Sequence, residues 1–228
     1  MAVAIEDWSR PAFVAGGGEA LLFYLAFGAL AAVRLPPTPS GLSLRVHPQG
    51  EARVWVETLI ATGDVARVVR NAPDFAVLRG HRADPPDLGH LRDAESVLTA
   101  LFDAGAAAVL DVEAQRWWTS ATFRAELLGS VRPALRAHVS VRSSNGQVET
   151  RGLRKFGRPD LRLRHVPPSA EARAQGLCWA VVERLARGEL PHPGDSLAGL
   201  RFEDGGDPAH PALSADWTEA FGERASTG

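Results

Sequence analysis

The chain has 228 residues, enough for one large domain or two small ones, and it can bury a core without staples. A formal net charge of −2 excludes any global pull toward nucleic acid, and the single cysteine, Cys178, excludes an intrachain disulfide and every zinc-type cysteine spacing. Lysine occurs once, at Lys155, beside twenty-four arginines, a GC-rich coding bias under which arginine counts alone carry little meaning.

In chain order, the first apolar run is Ala20–Val33. As a helix it reaches roughly 21 Å, short of the ~30 Å hydrocarbon core, so it is read as a buried helix and not a membrane span. The residues before it carry Glu6, Asp7 and Glu19 against Arg10, unlike the basic start of a signal peptide. A Pro-rich break follows at 34–41. Residues 42–46 and 52–58 are rich in β-formers and are expected to pair as a hairpin. Asp64 suits the N-cap of a short helix that Pro73 stops.

A short apolar strand at 75–80, a polar loop at 81–90, a helical stripe through Ala94, Val97, Leu98, Leu101 and Phe102, and a strand at 106–111 predict a βαβ unit with parallel strands. A further helix is expected at 113–129, closed by Gly129.

The second half changes character. Leu135, Ala137, Val139 and Val141 alternate with polar residues and predict a strand. Asn145-Gly146 is the favoured pair for a two-residue hairpin turn, because both positions need positive φ. That turn sets Arg142 opposite Glu149 and Val141 opposite Thr150, with Gly152 marking a bulge. A third antiparallel strand runs through Leu161 and Leu163. Ser169 is expected to cap a helix whose buried stripe includes Leu177, Cys178, Val181, Val182 and Leu185, with Gly188 closing it. These elements predict an α+β domain over 1–200: a mixed β-sheet with a βαβ unit and a C-terminal antiparallel meander, helices packed on the sheet. Residues 201–228 are expected to form an acidic, Gly/Pro-rich tail.

Charge is segregated along the chain. Residues 132–165 carry nine basic and two acidic groups, whereas 189–228 carry two basic and eight acidic ones. The stretch Arg151–Val166 alone holds five arginines and Lys155 against Asp160. Arg162 and Arg164 alternate with Leu161 and Leu163, as a half-buried strand requires, so the run is read as the wet face of a sheet. A nucleic-acid surface would interleave aromatics with the basic residues, and only Phe156 is available. The acidic tail has the charge to fold back onto this basic hairpin.

The residues Thr150, Gly152, Leu153, Gly157 and Asp160, followed by Gly188, Gly194, Asp195 and Ser196, resemble the C-terminal signature of a bacterial domain family of unknown function. The resemblance covers the last two thirds of the chain. It implies an α+β fold and no particular chemistry.

Three constellations have a chemical reading. His81, Asp84, Asp87 and His90 recur at intervals of three, and Asp111 ends a neighbouring strand with Glu113 just beyond. Two imidazoles with carboxylates suit a divalent metal and a metal-assisted hydrolase. Against this, Pro85-Pro86 sits in an irregular segment whose spacing fixes no geometry. Arg151, Arg154, Lys155 and Arg158 form a candidate anion or nucleic-acid site. Trp117 and Trp118, adjacent on an expected helix, offer one ring to a protein partner. No nucleophile elbow or cofactor fingerprint occurs. Gly16–Gly18 lacks both the P-loop Lys-Ser/Thr and the dinucleotide spacing, so no cofactor is expected. The leading expectation is a non-catalytic accessory or protein-interaction protein of the bacterial cytoplasm, without membrane attachment. The metal-dependent hydrolase and the anion binder are the alternatives.

Overall fold

A computed structural model describes residues 8–31, 35–48, 63–128, 134–205 and 212–222. Two five-stranded sheets with helices packed on them make an α+β architecture. The first sheet contains β1 (Glu19–Gly28), β2 (Leu42–Pro48), β3 (Asp74–Ala83), β4 (Ala106–Asp111) and β5 (Arg116–Trp118), in the order β2-β3-β1-β4-β5.

The apolar run expected as a helix is therefore the central strand β1. Strands on both sides and cover on both faces let every position be apolar, which erases the alternation that distinguishes a strand from a buried helix. Leu22, Tyr24 and Ala26 face the main core, and Phe27 packs on the other side with Val69 of helix α1 (Gly63–Asn71) and with Ala72 just beyond its end. Among the described residues no helix is long and apolar enough to cross a membrane.

The βαβ expectation is corrected in one respect. β3, helix α2 (Gly89–Asp103) and β4 follow one another as expected, and both strands run antiparallel to β1. They are thus parallel to each other, but β1 lies between them and the whole sheet is antiparallel. β2 pairs with β3. Residues 52–58, expected to be its hairpin partner, lie outside the described residues.

The helix expected at 113–129 is also corrected. Residues 116–118 return as β5 along β4, and only α3 (Ser120–Glu126) is helical, capped reciprocally by Thr119 and Thr122. The aromatic pair favours a strand where an open edge stands ready. Gly129 lies outside the described residues.

The second sheet has the order β11-β12-β8-β7-β6 and is the mixed one. Its strands are β6 (Ser140–Ser144), β7 (Gln147–Arg151), β8 (Asp160–Arg164), β11 (Glu203–Asp204) and β12 (Ala212–Asp216), with β12 parallel to β8. A two-stranded ribbon, β9 (Ser196–Leu197) and β10 (Leu200–Arg201), precedes them. The 135–139 alternation does not make a strand; one helical turn, α4 (Leu135–His138), carries it, and β6 begins at Ser140. The meander itself forms as expected. Asn145 and Gly146 have φ of 49° and 72°, and Arg142 faces Glu149 while Val141 faces Thr150. Gly152 is not a bulge. With φ of 107° it opens a 3₁₀ turn (Leu153–Phe156), and a Cβ there would strike the His138 carbonyl oxygen.

Helix α5 (Glu171–Ala186) buries Ala174, Cys178, Val181, Val182 and Leu185, with Leu177 half-buried. Ser169 is not its cap. It lies inside a short 3₁₀ turn, and Ala170 stands at the N-cap without a side-chain bond. The segment expected as a tail enters the second sheet through β11 and β12 and ends in α6 (Trp217–Phe221), where Trp217 is fully buried. It docks beside the basic meander: Arg164 reaches Glu203 at 2.8 Å, and His165 Nδ1 lies 2.7 Å from Asp216.

Candidate functional site

The 3₁₀ turn at 153–156 lies between the two sheets, bracketed by left-handed Gly152 and Gly157 (φ 107° and 63°). It carries Lys155 wholly out of solvent. The ammonium pairs with Asp111 at the end of β4, and Nζ stands 5.8 Å from the centroid of the Tyr24 ring. Asp111 Oδ1 also accepts from the Ala114 amide at 3.0 Å. Burial first, then the charges of Asp111, Glu95 and Glu113, push the Tyr24 phenol well above its ordinary range. The Lys155 carbonyl lies 2.7 Å from His90 Nε2. A carbonyl only accepts, so Nε2 carries the proton and Nδ1, which has no partner, is the bare nitrogen. Desolvation holds this imidazole below its ordinary pKa, against the opposing pull of that hydrogen bond.

Arg158 is the second buried cation. Its guanidinium meets Asp84 at 2.9 Å and donates to the carbonyls of Val14, Gly157, Gly188 and Glu189 at 2.7–3.0 Å. Asp84 Oδ2 accepts from the amides of Gly16 and Gly17 at 2.7 and 3.1 Å. Desolvation opposes ionisation there, but Arg158 and the two amides outweigh it and hold the carboxyl below its usual range. Arg10 binds the carbonyls of Leu185 and Ala186 at the end of α5 and that of Pro85. Burial and the neighbouring Arg158 charge push Arg10 down to about 10.

The residues expected to bind a metal are dispersed among these contacts. His81 is exposed beside Glu19 at 3.5 Å, Asp87 caps the Gly89 amide at 2.8 Å, and Asp84, His90 and Asp111 have the partners above. Among the described residues no three His, Cys, Asp or Glu side chains converge where they could hold one ion. Of the expected anion-binding set, Arg151 pairs with Glu149 at 3.2 Å and Arg154 with Glu113 at 3.6 Å, while Lys155 and Arg158 are interior. Trp117 and Trp118 lie on opposite faces of β5. Trp118 is buried edge-on to Phe123 beneath Arg116, and Trp117 is half-buried 5.8 Å from Phe27. Burial pushes the Cys178 thiol up to about 12, so it is an inert packing residue.

Sequence reasoning missed one concave surface. A groove of about 430 Å³ runs along α2 and is lined by Trp8, Arg92, Glu95, Ser96, Thr99, Leu127 and Leu128. Its floor is Glu95, only 8% exposed, whose Oε1 lies 3.0 Å from Nε2 of the buried His138. Leu128 stands at its edge, 42% exposed. The signal was present: Glu95 occupies the apolar stripe of α2 with Leu91, Ala94, Leu98 and Phe102, a place where a carboxylate needs a reason.

Comparison with protein-family models, curated proteins and solved structures finds no match for this chain.

Proposed function

We propose that the chain is a non-catalytic binding protein of the bacterial cytoplasm, an accessory module that takes its ligand in the groove along α2. The observation that carries this reading is the contrast in how charges are engaged. The ionisable residues assembled between the sheets, Lys155, Asp111, Arg158 and Asp84, are locked to one another and closed to solvent or nearly so, a geometry suited to holding a scaffold rigid. The groove instead sets a buried carboxylate, a guanidinium without a partner among the described residues, and the apolar side chains of Trp8, Leu127 and Leu128 around one open volume, the usual makeup of a ligand site.

A thermal-shift screen of metabolite-sized compounds tests it, because a ligand of the native state must raise the melting temperature. Hits are expected to disappear in Thr99→Trp, which fills the groove from the helix surface. Hits that survive that substitution, or a screen with none, would overturn the reading.

A further inference from the structure

Arg92 and Glu95 are one helical turn apart on α2, where side chains are neighbours, yet they do not pair with each other. Glu95 is turned inward, with Oε1 at His138 Nε2, and among the described residues Oε2 accepts no hydrogen bond. The Arg92 guanidinium, exposed at the rim, has neither a hydrogen bond nor an ion pair among the described residues. The nearby hydroxyls are already used as donors: Ser96 donates to the Arg92 carbonyl at 3.0 Å and Thr99 to the Glu95 carbonyl at 2.8 Å. Two opposite charges therefore face one groove, each with bonding capacity left over. The rest of the lining is apolar: Trp8, Leu127 and Leu128.

A nine-tenths-buried carboxylate beside apolar side chains is unfavourable as an empty floor, and a partner cation within the groove relieves it. A ligand bearing only a cation would meet the Arg92 charge on entry. One bearing only an anion would meet Glu95. A ligand with both groups a few ångströms apart satisfies the two together, with its third arm against Trp8 and the leucines.

We propose that this groove binds a free α-amino acid with a large apolar side chain, its ammonium on Glu95 Oε2, its carboxylate on Arg92 and its side chain between Trp8 and Leu127–Leu128. The inference rests on the binding-protein reading above and names its ligand class.

Isothermal titration with L-phenylalanine, L-leucine, phenethylamine and 3-phenylpropionate tests it on the intact chain. L-phenylalanine or L-leucine should bind, and each single-charge analogue should bind about tenfold or more weakly, since a charged hydrogen bond is lost in each. Arg92→Gln, at an exposed position that leaves folding intact, should weaken the amino acids about tenfold and should not weaken phenethylamine, which loses only a repulsion. Glu95→Gln keeps an acceptor for His138 and should weaken amino acids and phenethylamine alike. Failure of both amino acids to bind, or equal binding of an analogue lacking either charge, overturns the assignment. A neutral or singly charged compound that binds and is displaced by Thr99→Trp would overturn this ligand class while leaving the binding-protein reading standing.

Discussion

Strand β8 and the 3₁₀ turn before it belong to one arginine-rich stretch, yet they put their cations in opposite places. In β8, Arg162 and Arg164 alternate with the buried Leu161 and Leu163, and both guanidinium side chains are 38% exposed. In the turn and just after it, Lys155 and Arg158 have side chains that are 0% exposed. Composition does not separate the two regions; backbone shape does. A strand sorts side chains to alternate faces, so a polar residue between two leucines reaches water. A turn wedged between two sheets has no wet face on its inner side. Its cation must find a carboxylate and carbonyls inside, or the fold does not form.

The sharpest way to break that comparison is to remove the interior cation. Lys155→Met leaves Asp111 as a buried charge without its counter-ion and is expected to cost about 3–5 kcal/mol, read from urea unfolding. Lys155→Met with Asp111→Asn should recover most of the loss. The amide oxygen still accepts from Ala114, and no charge is left unpaired. A single variant as stable as the parent would mean that the turn is not anchored by this pair.

This difference also explains what the sequence made legible. Elements whose pattern is local were readable: the Asn145-Gly146 turn with its register, the stripe of α5, the α2 stripe, and the wet face of β8. What failed depended on neighbours distant in the chain. β1 reads as a helix because its flanking strands come from residues beyond position 70. β5 reads as part of a helix because the edge of β4 that recruits it is not visible in the pattern of residues 113–129. The acidic segment reads as a tail because β12 joins β8 across nearly fifty intervening residues. The candidate site was the least legible part. Its floor, Glu95, interrupts an apolar stripe, a local sign, but its partner His138 lies forty-three positions away.

A smaller effect sharpens the comparison at the boundary between the turn and the strand. Asp160 begins β8, and its Oδ1 accepts from the Thr150 hydroxyl and the Leu153 amide, both at 3.1 Å. Desolvation pushes its carboxyl up to about 6, although those two hydrogen bonds and Arg151 pull the other way. The folded state therefore holds this proton more tightly than the unfolded chain, where the ordinary value is 3.8. Its contribution to stability is present below pH 3.8 and is lost as pH rises through about 6. Asp160→Asn keeps the acceptor and cannot ionise. It should raise stability at pH 8 by about 1–2 kcal/mol, and the gain should vanish near pH 4. Thermal melts of both proteins across that range decide it; a gain that grows toward low pH reverses the sign and removes the desolvation account.

The smallest expected effect belongs to the exterior cation. Arg164 meets Glu203 at 2.8 Å, but both side chains are well exposed, 38% and 58%, and water and salt weaken the pair. Its Nε is buried without a hydrogen-bond partner, an unfavourable feature that truncation removes. The two changes oppose each other, so Arg164→Ala should shift stability by less than about 1 kcal/mol. Raising the salt concentration should erase the ion-pair part of this shift, while the Lys155→Met loss persists, because the interior pair is shielded from ions. An Arg164→Ala loss as large as that of Lys155→Met would mean that β12 and β11 are held to β8 through this one contact and not through the β12–β8 ladder and buried Trp217.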